Sequence, residues 1–125
     1  MASKDKREKK KQRLAESFYY AIEGILYVIK NERNLQIHAT VAILIIIAGC
    51  WFRISAYDWI IISITIGGVF SLELINTAIE KTVDLVTESR HPLAKIAKDA
   101  AAGAVLIYAI VSVIVGILIF SKYIL

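Results

Sequence analysis

The amino-acid sequence predicts an all-α integral membrane protein, with one amphipathic surface helix near the N-terminus and three membrane-spanning helices after it. Of its 125 residues 58% are hydrophobic, and the mean hydropathy of +0.63 is too high for a water-soluble domain this small. Three long apolar stretches alternate with short polar segments. Positive charge is crowded at one end, with seven of the 15 Lys and Arg residues inside the first 13 positions. Beside apolar spans, such a basic arm fixes orientation and attracts anionic headgroups, so no nucleic-acid partner is expected.

The arm covers residues 1–13, and residues 14–125 form a single membrane domain. Leu14, Phe18, Ile22, Ile25 and Ile29 recur at spacings of four, four, three and four, which is the apolar stripe of a helix lying on the membrane over residues 14–33. Gln12, Glu16, Glu23 and Lys30 occupy its other side, and Tyr19, Tyr20 and Tyr27 suit an interface. This segment is amphipathic rather than a continuous apolar core, so it does not read as a secretory signal. Cys50, the single cysteine, excludes an intrachain disulfide.

Residues 35–52 form the first span, roughly 27 Å long at 1.5 Å per residue and just adequate for a hydrocarbon core of about 30 Å. His38 reads as a polar residue of its helix end. A polar turn over residues 53–58 leads to a second span, residues 59–86, whose length of about 42 Å carries its last turns out of the membrane. The polar segment 87–99 holds Pro92, the only proline, where it punctuates a loop or starts a helix. The third span covers residues 100–120. Nine Lys and Arg residues precede the first span and Lys81, Arg90, Lys95 and Lys98 cluster around the second loop, whereas only Arg53 and Lys122 fall on the other side. The positive-inside rule then predicts a multi-pass protein of the cell membrane, with a cytoplasmic N-terminus and an extracytoplasmic C-terminus.

The second span carries the chemistry. At 100° per residue Glu73, Asn76, Glu80 and Asp84 share an arc of about 80°, so one helix face presents a column of oxygen ligands. Glu73 lies roughly 21 Å along the helix from Trp59, near the cytoplasmic boundary, and Glu80 about 10 Å beyond it toward water. A lipid hydroxyl sits at that boundary, while ATP and magnesium arrive from the cytosol. Phosphoryl transfer needs charge neutralisation, a magnesium site with few carboxylates and a group that orients or deprotonates the nucleophile. Glu80 and Asp84 suit the first two needs, Glu73 the third, and Lys98 and Asp99 reach the same level. The residues alone leave other readings open: a set of interhelical salt bridges such as Glu80 with Lys81 or Lys98, a small ion or proton transporter, or a membrane scaffold.

The segment ELINTAIEKTVD, residues 73–84, resembles the signature of the prokaryotic diacylglycerol kinase family, and the likeness runs from about Arg13 to the third span. NERNLQIH at 31–38 and HPLAKIAKDAAAGA at 91–104 look closest to the Gram-positive branch, whose members phosphorylate undecaprenol; the Gram-negative branch prefers diacylglycerol. The resemblance implies a homotrimeric lipid kinase of the bacterial membrane that uses ATP and Mg2+. It implies Glu73 as catalytic base on the lipid hydroxyl, Asn76 beside it, and Glu32 and Glu80 as magnesium ligands. It further implies nucleotide contacts from Arg13, Tyr20, Glu32, Glu80, Asp84, Ser89, Arg90, His91, Lys98 and Asp99. Tyr20 serves equally well as an interface anchor, and His91 before Pro92 also suits a turn.

Overall fold

The computed structural model describes all residues, Met1–Leu125, and is built of four helices: α1 (Ala2–Asn31), α2 (Arg33–Phe52), α3 (Ala56–Val86) and α4 (Pro92–Ile124). Two compact units divide it, residues 1–32 and 33–125.

The first unit is one helix. It starts at Ala2, so the basic arm is helical and not a separate extended segment. The physical reason lies in its composition: Lys, Glu, Arg, Gln and Ala are all good helix formers, and neither Gly nor Pro interrupts them. The helix stops where Glu32 turns extended (φ −107°, ψ 114°), its N–H donating to the Val28 carbonyl at 2.8 Å. Asn31 supports the same end through its side-chain amide, which donates to the Tyr27 carbonyl at 2.8 Å.

The second unit holds three helices long and apolar enough to cross a membrane. A tight turn joins α2 to α3. Arg53 adopts a left-handed conformation (φ 51°), while Ile54 N–H donates to the Gly49 carbonyl and Arg53 N–H to the Cys50 carbonyl. That pair of bonds is a Schellman ending, which normally prefers glycine at the left-handed position. Ser55 then caps α3, its hydroxyl accepting from Asp58 N–H at 3.2 Å.

The second connection is shorter than the polar composition suggests. Helix α4 begins at Pro92, not after residue 99, so Lys95, Lys98 and Asp99 ride on a helix. Proline suits this first turn because its missing N–H has no intrahelical partner there. His91 caps the same turn, Nδ1 accepting from Leu93 N–H at 3.1 Å.

Helix α3 packs against both α2 and α4. Its buried residues Ile62, Val69, Glu73, Asn76 and Thr77 follow helical spacing, so the polar column continues the packing face instead of facing outward. Near the α2–α3 turn the core gathers Ile54, Ile62 and Ile119, with Phe52 and Phe120 meeting edge to face at 6.1 Å. Gly49 is needed here: a Cβ on it would lie 2.6 Å from the Trp59 ring. Gly68 gives Tyr108 its place in the same way, and the Tyr108 hydroxyl donates to the Ile64 carbonyl at 3.2 Å. Its neighbour Gly67 and Gly103 of α4 meet nothing within 4 Å.

Most of the apolar surface of α2 and α4 is uncovered. Only 17% of the apolar window of α2 and 6% of that of α4 are buried. Ile43, Leu44, Ile47, Ile114, Ile117 and Leu118 all point outward, a surface too large and apolar for water.

Candidate active site

Glu73 is 2% exposed although it carries a carboxyl group on an apolar helix. Burial of an ionised carboxylate is costly unless it is paired and hydrogen-bonded. The facing helix supplies a partner: Nε2 of His38 on α2 lies 3.2 Å from Glu73 Oε1. His38 is half-buried and is therefore more than a helix-end residue. Its position is a consequence of the tight α2–α3 hairpin, whose register sets the two side chains at one depth.

One turn further along α3, Asn76 is buried and donates through Nδ2 to Glu80 Oε1 at 3.4 Å. Asn76 Oδ1, also buried, has no hydrogen-bond partner. Buried acceptors are almost always satisfied, so this oxygen marks a place for a donor such as a hydroxyl or a water. Glu80 is half-buried, at the edge between packed helix and solvent.

Asp84 continues the column and pairs with Lys98 of α4, Nζ to Oδ1 at 2.6 Å. Lys98 thus binds Asp84, not Glu80, the partner that a purely structural salt bridge suggested. Lys95 and Asp99 form a second pair along α4. Asp84, Ser89, Arg90, His91, Lys98 and Asp99 all line one open cavity of about 550 Å³. Six of the seven residues expected on the nucleotide side of this unit therefore share one wall, and Glu80 is not part of it, although the loop residues came from the least regular part of the sequence. Within the loop, Ser89 N–H donates to the Thr87 hydroxyl at 3.2 Å, which holds the turn.

A second cavity of about 760 Å³ runs between the helices and is lined almost wholly by apolar side chains, among them Val41, Val69, Phe70 and Phe120; His38 lies on its wall. Polar and apolar cavities thus flank the column. Along α3 the distance from Glu73 to Asp84 is about 16 Å.

Arg13, Tyr20 and Glu32 belong to the first unit. Arg13 and Tyr20 are exposed on α1, Arg13 accepting a bond from the Ser17 hydroxyl at its carbonyl and Tyr20 meeting Tyr19 edge to face at 5.8 Å. Glu32 is the residue at which α1 ends.

No three His, Cys, Asp or Glu side chains converge as a protein-only metal cage. Magnesium is normally held by one or two carboxylates, with water and phosphate oxygens completing its octahedron. The half-buried Glu80 carboxylate fits one place in a donor set of that kind.

Comparison with known proteins identifies the family. Residues 19–120 match the prokaryotic diacylglycerol kinase family. An undecaprenol kinase of Bacillus subtilis is 52% identical over 120 residues, covering 96% of this chain and 97% of the relative. A diacylglycerol kinase of Synechocystis is 46% identical over 101 residues, 80% of this chain and 58% of the relative. The diacylglycerol kinase of Escherichia coli K12 is 30% identical over 102 residues, 82% of this chain and 84% of the relative. With the family match covering most of the sequence, the chain belongs to the prokaryotic diacylglycerol kinase family and is an enzyme, a lipid kinase.

Proposed function

We propose that this enzyme phosphorylates undecaprenol with ATP at the cytoplasmic face of the bacterial membrane, Glu73 acting as general base. The observation that carries this reading is the 52% identity, over nearly the full length of both chains, to a protein named undecaprenol kinase. Diacylglycerol is the alternative substrate, because the family and its Synechocystis and Escherichia coli members are named for it.

In the proposed reaction the lipid hydroxyl reaches the buried end of the polar column. Glu73 takes its proton as the oxygen forms a bond to the γ-phosphorus of ATP. The bond from that phosphorus to the β–γ bridging oxygen breaks, ADP leaves with the electron pair, and the products are the lipid monophosphate, ADP and a proton passed from Glu73 to water. Asn76 Oδ1, a buried acceptor beside the base, is suited to orient the hydroxyl. Glu80 and Glu32, the ligands that the family resemblance implies, would hold Mg2+, which would supply charge neutralisation on the phosphate oxygens. Arg13, Tyr20, Asp84, Ser89, Arg90, His91, Lys98 and Asp99 contact the nucleotide; six of these line the cavity at the α3–α4 loop, which supports the assignment.

Residues 1–13 serve as a cytoplasmic arm and residues 14–125 as the kinase domain. The charge asymmetry supports a cytoplasmic N-terminus and an extracytoplasmic C-terminus. The functional unit is a homotrimer, in keeping with the uncovered apolar faces of α2 and α4, which lipid and neighbouring subunits cover together. In mixed micelles with γ-labelled ATP, the enzyme transfers label to undecaprenol at a higher kcat/KM than to diacylglycerol. The reverse preference makes it a diacylglycerol kinase, and labelling of neither lipid contradicts the proposal.

A further inference from the structure

We infer that His38 is the positioning residue of Glu73, holding its carboxylate aimed at the lipid hydroxyl; the inference rests on the reading of Glu73 as the base. The separation of 3.2 Å between Nε2 and Oε1 lies within hydrogen-bonding distance, so the two atoms can share a proton. For Glu73 to accept the substrate's proton, that shared proton must reside on Nε2, with imidazole the donor and carboxylate the acceptor. A donor in this place satisfies a carboxylate oxygen that packing shields from water.

The surroundings agree with such a role. The side chain of Glu73 is 3% exposed and that of His38 26%, so the imidazole is the wetter of the two. His38 lies on the wall of the apolar cavity, with Val41 of its own helix and Val69 and Phe70 of α3. A hydroxyl carried on an apolar chain along that cavity meets the imidazole, whose Nε2 is the atom next to Glu73 Oε1. The other charged pair at this end, Asp84 with Lys98, lies on the loop-side cavity, and Lys95 pairs with Asp99.

Three substitutions separate positioning from packing. Glutamine keeps an N–H donor at similar reach, leucine keeps bulk without a donor, and alanine keeps neither. His38→Gln retains kcat within a factor of about 3, while His38→Leu and His38→Ala lose about 10- to 100-fold in kcat with KM for ATP unchanged. Thermal unfolding in detergent checks that each variant is folded, and if the alanine variant is not, the comparison of glutamine with leucine decides. Equal activity of His38→Leu and His38→Gln, or native activity of His38→Leu, overturns the inference. Glu73→Gln, measured beside them, tells the two failures apart. An inactive Glu73→Gln with leucine equal to glutamine at position 38 removes His38 alone, whereas an active Glu73→Gln removes the base and with it the role of His38.

Discussion

The Lys98 ammonium bonds the Asp84 carboxylate at 2.6 Å and ties α4 to the last turns of α3 beside the loop cavity. Both side chains are about half exposed, so the pair contributes roughly 0.2–1 kcal/mol to stability. In the proposed nucleotide site its effect concerns charge: a lysine held at the cavity wall would present a point charge to a phosphate. Lys98→Met therefore raises KM for ATP by about 10-fold or more while shifting unfolding little. Steady-state kinetics at varied ATP, with a thermal scan in the same detergent, check both parts.

At the opposite end of the bundle, Asp58 is buried and accepts from the Tyr123 hydroxyl at 2.6 Å and from Lys122 at 2.9 and 3.1 Å. The same hydroxyl accepts from Ser55 N–H at 2.9 Å. Tyr123→Phe removes a partner from two groups at once and costs about 1–3 kcal/mol. The site lies at the far end of the helices, so the loss is seen in denaturant or thermal unfolding while KM for ATP stays at its native value.

Two substitutions at the end of α2 move stability in opposite directions. Arg53 holds a left-handed conformation at φ 51°, and Arg53→Gly relieves it, stabilising the protein by about 1 kcal/mol. Gly49→Ala places a methyl group 2.6 Å from the Trp59 ring and destabilises by about 1–3 kcal/mol. Thermal unfolding of the two variants in one detergent gives shifts of opposite sign.

Periodicity and apolar length carried most of the fold. The stripe from Leu14 to Ile29, the three spans and the column from Glu73 to Asp84 are all visible in the sequence because each depends on spacing within one helix. Helix starts were less visible. Polar residues at 2–13 and 92–99 suggest solvated segments, yet their helix propensities and the cap at His91 extend α1 and α4 through them. The pairing of His38 with Glu73 needs a relation between two helices. The structure supplies that relation: from the approach of Gly49 to Trp59, about 17 Å back along α2 leads to His38 and about 21 Å forward along α3 to Glu73. The network of Asp58, Lys122 and Tyr123 had no such signal, because it joins residues separated by most of two helices.

The most direct measurement is phosphoryl transfer to undecaprenol by Glu73→Gln, with folding checked by thermal unfolding and nucleotide affinity by KM for ATP. Glutamine keeps the shape of glutamate but cannot take a proton, so kcat falls about 10²- to 10⁴-fold while fold and KM for ATP are retained. A folded Glu73→Gln enzyme with native kcat contradicts the assignment of Glu73 as the base.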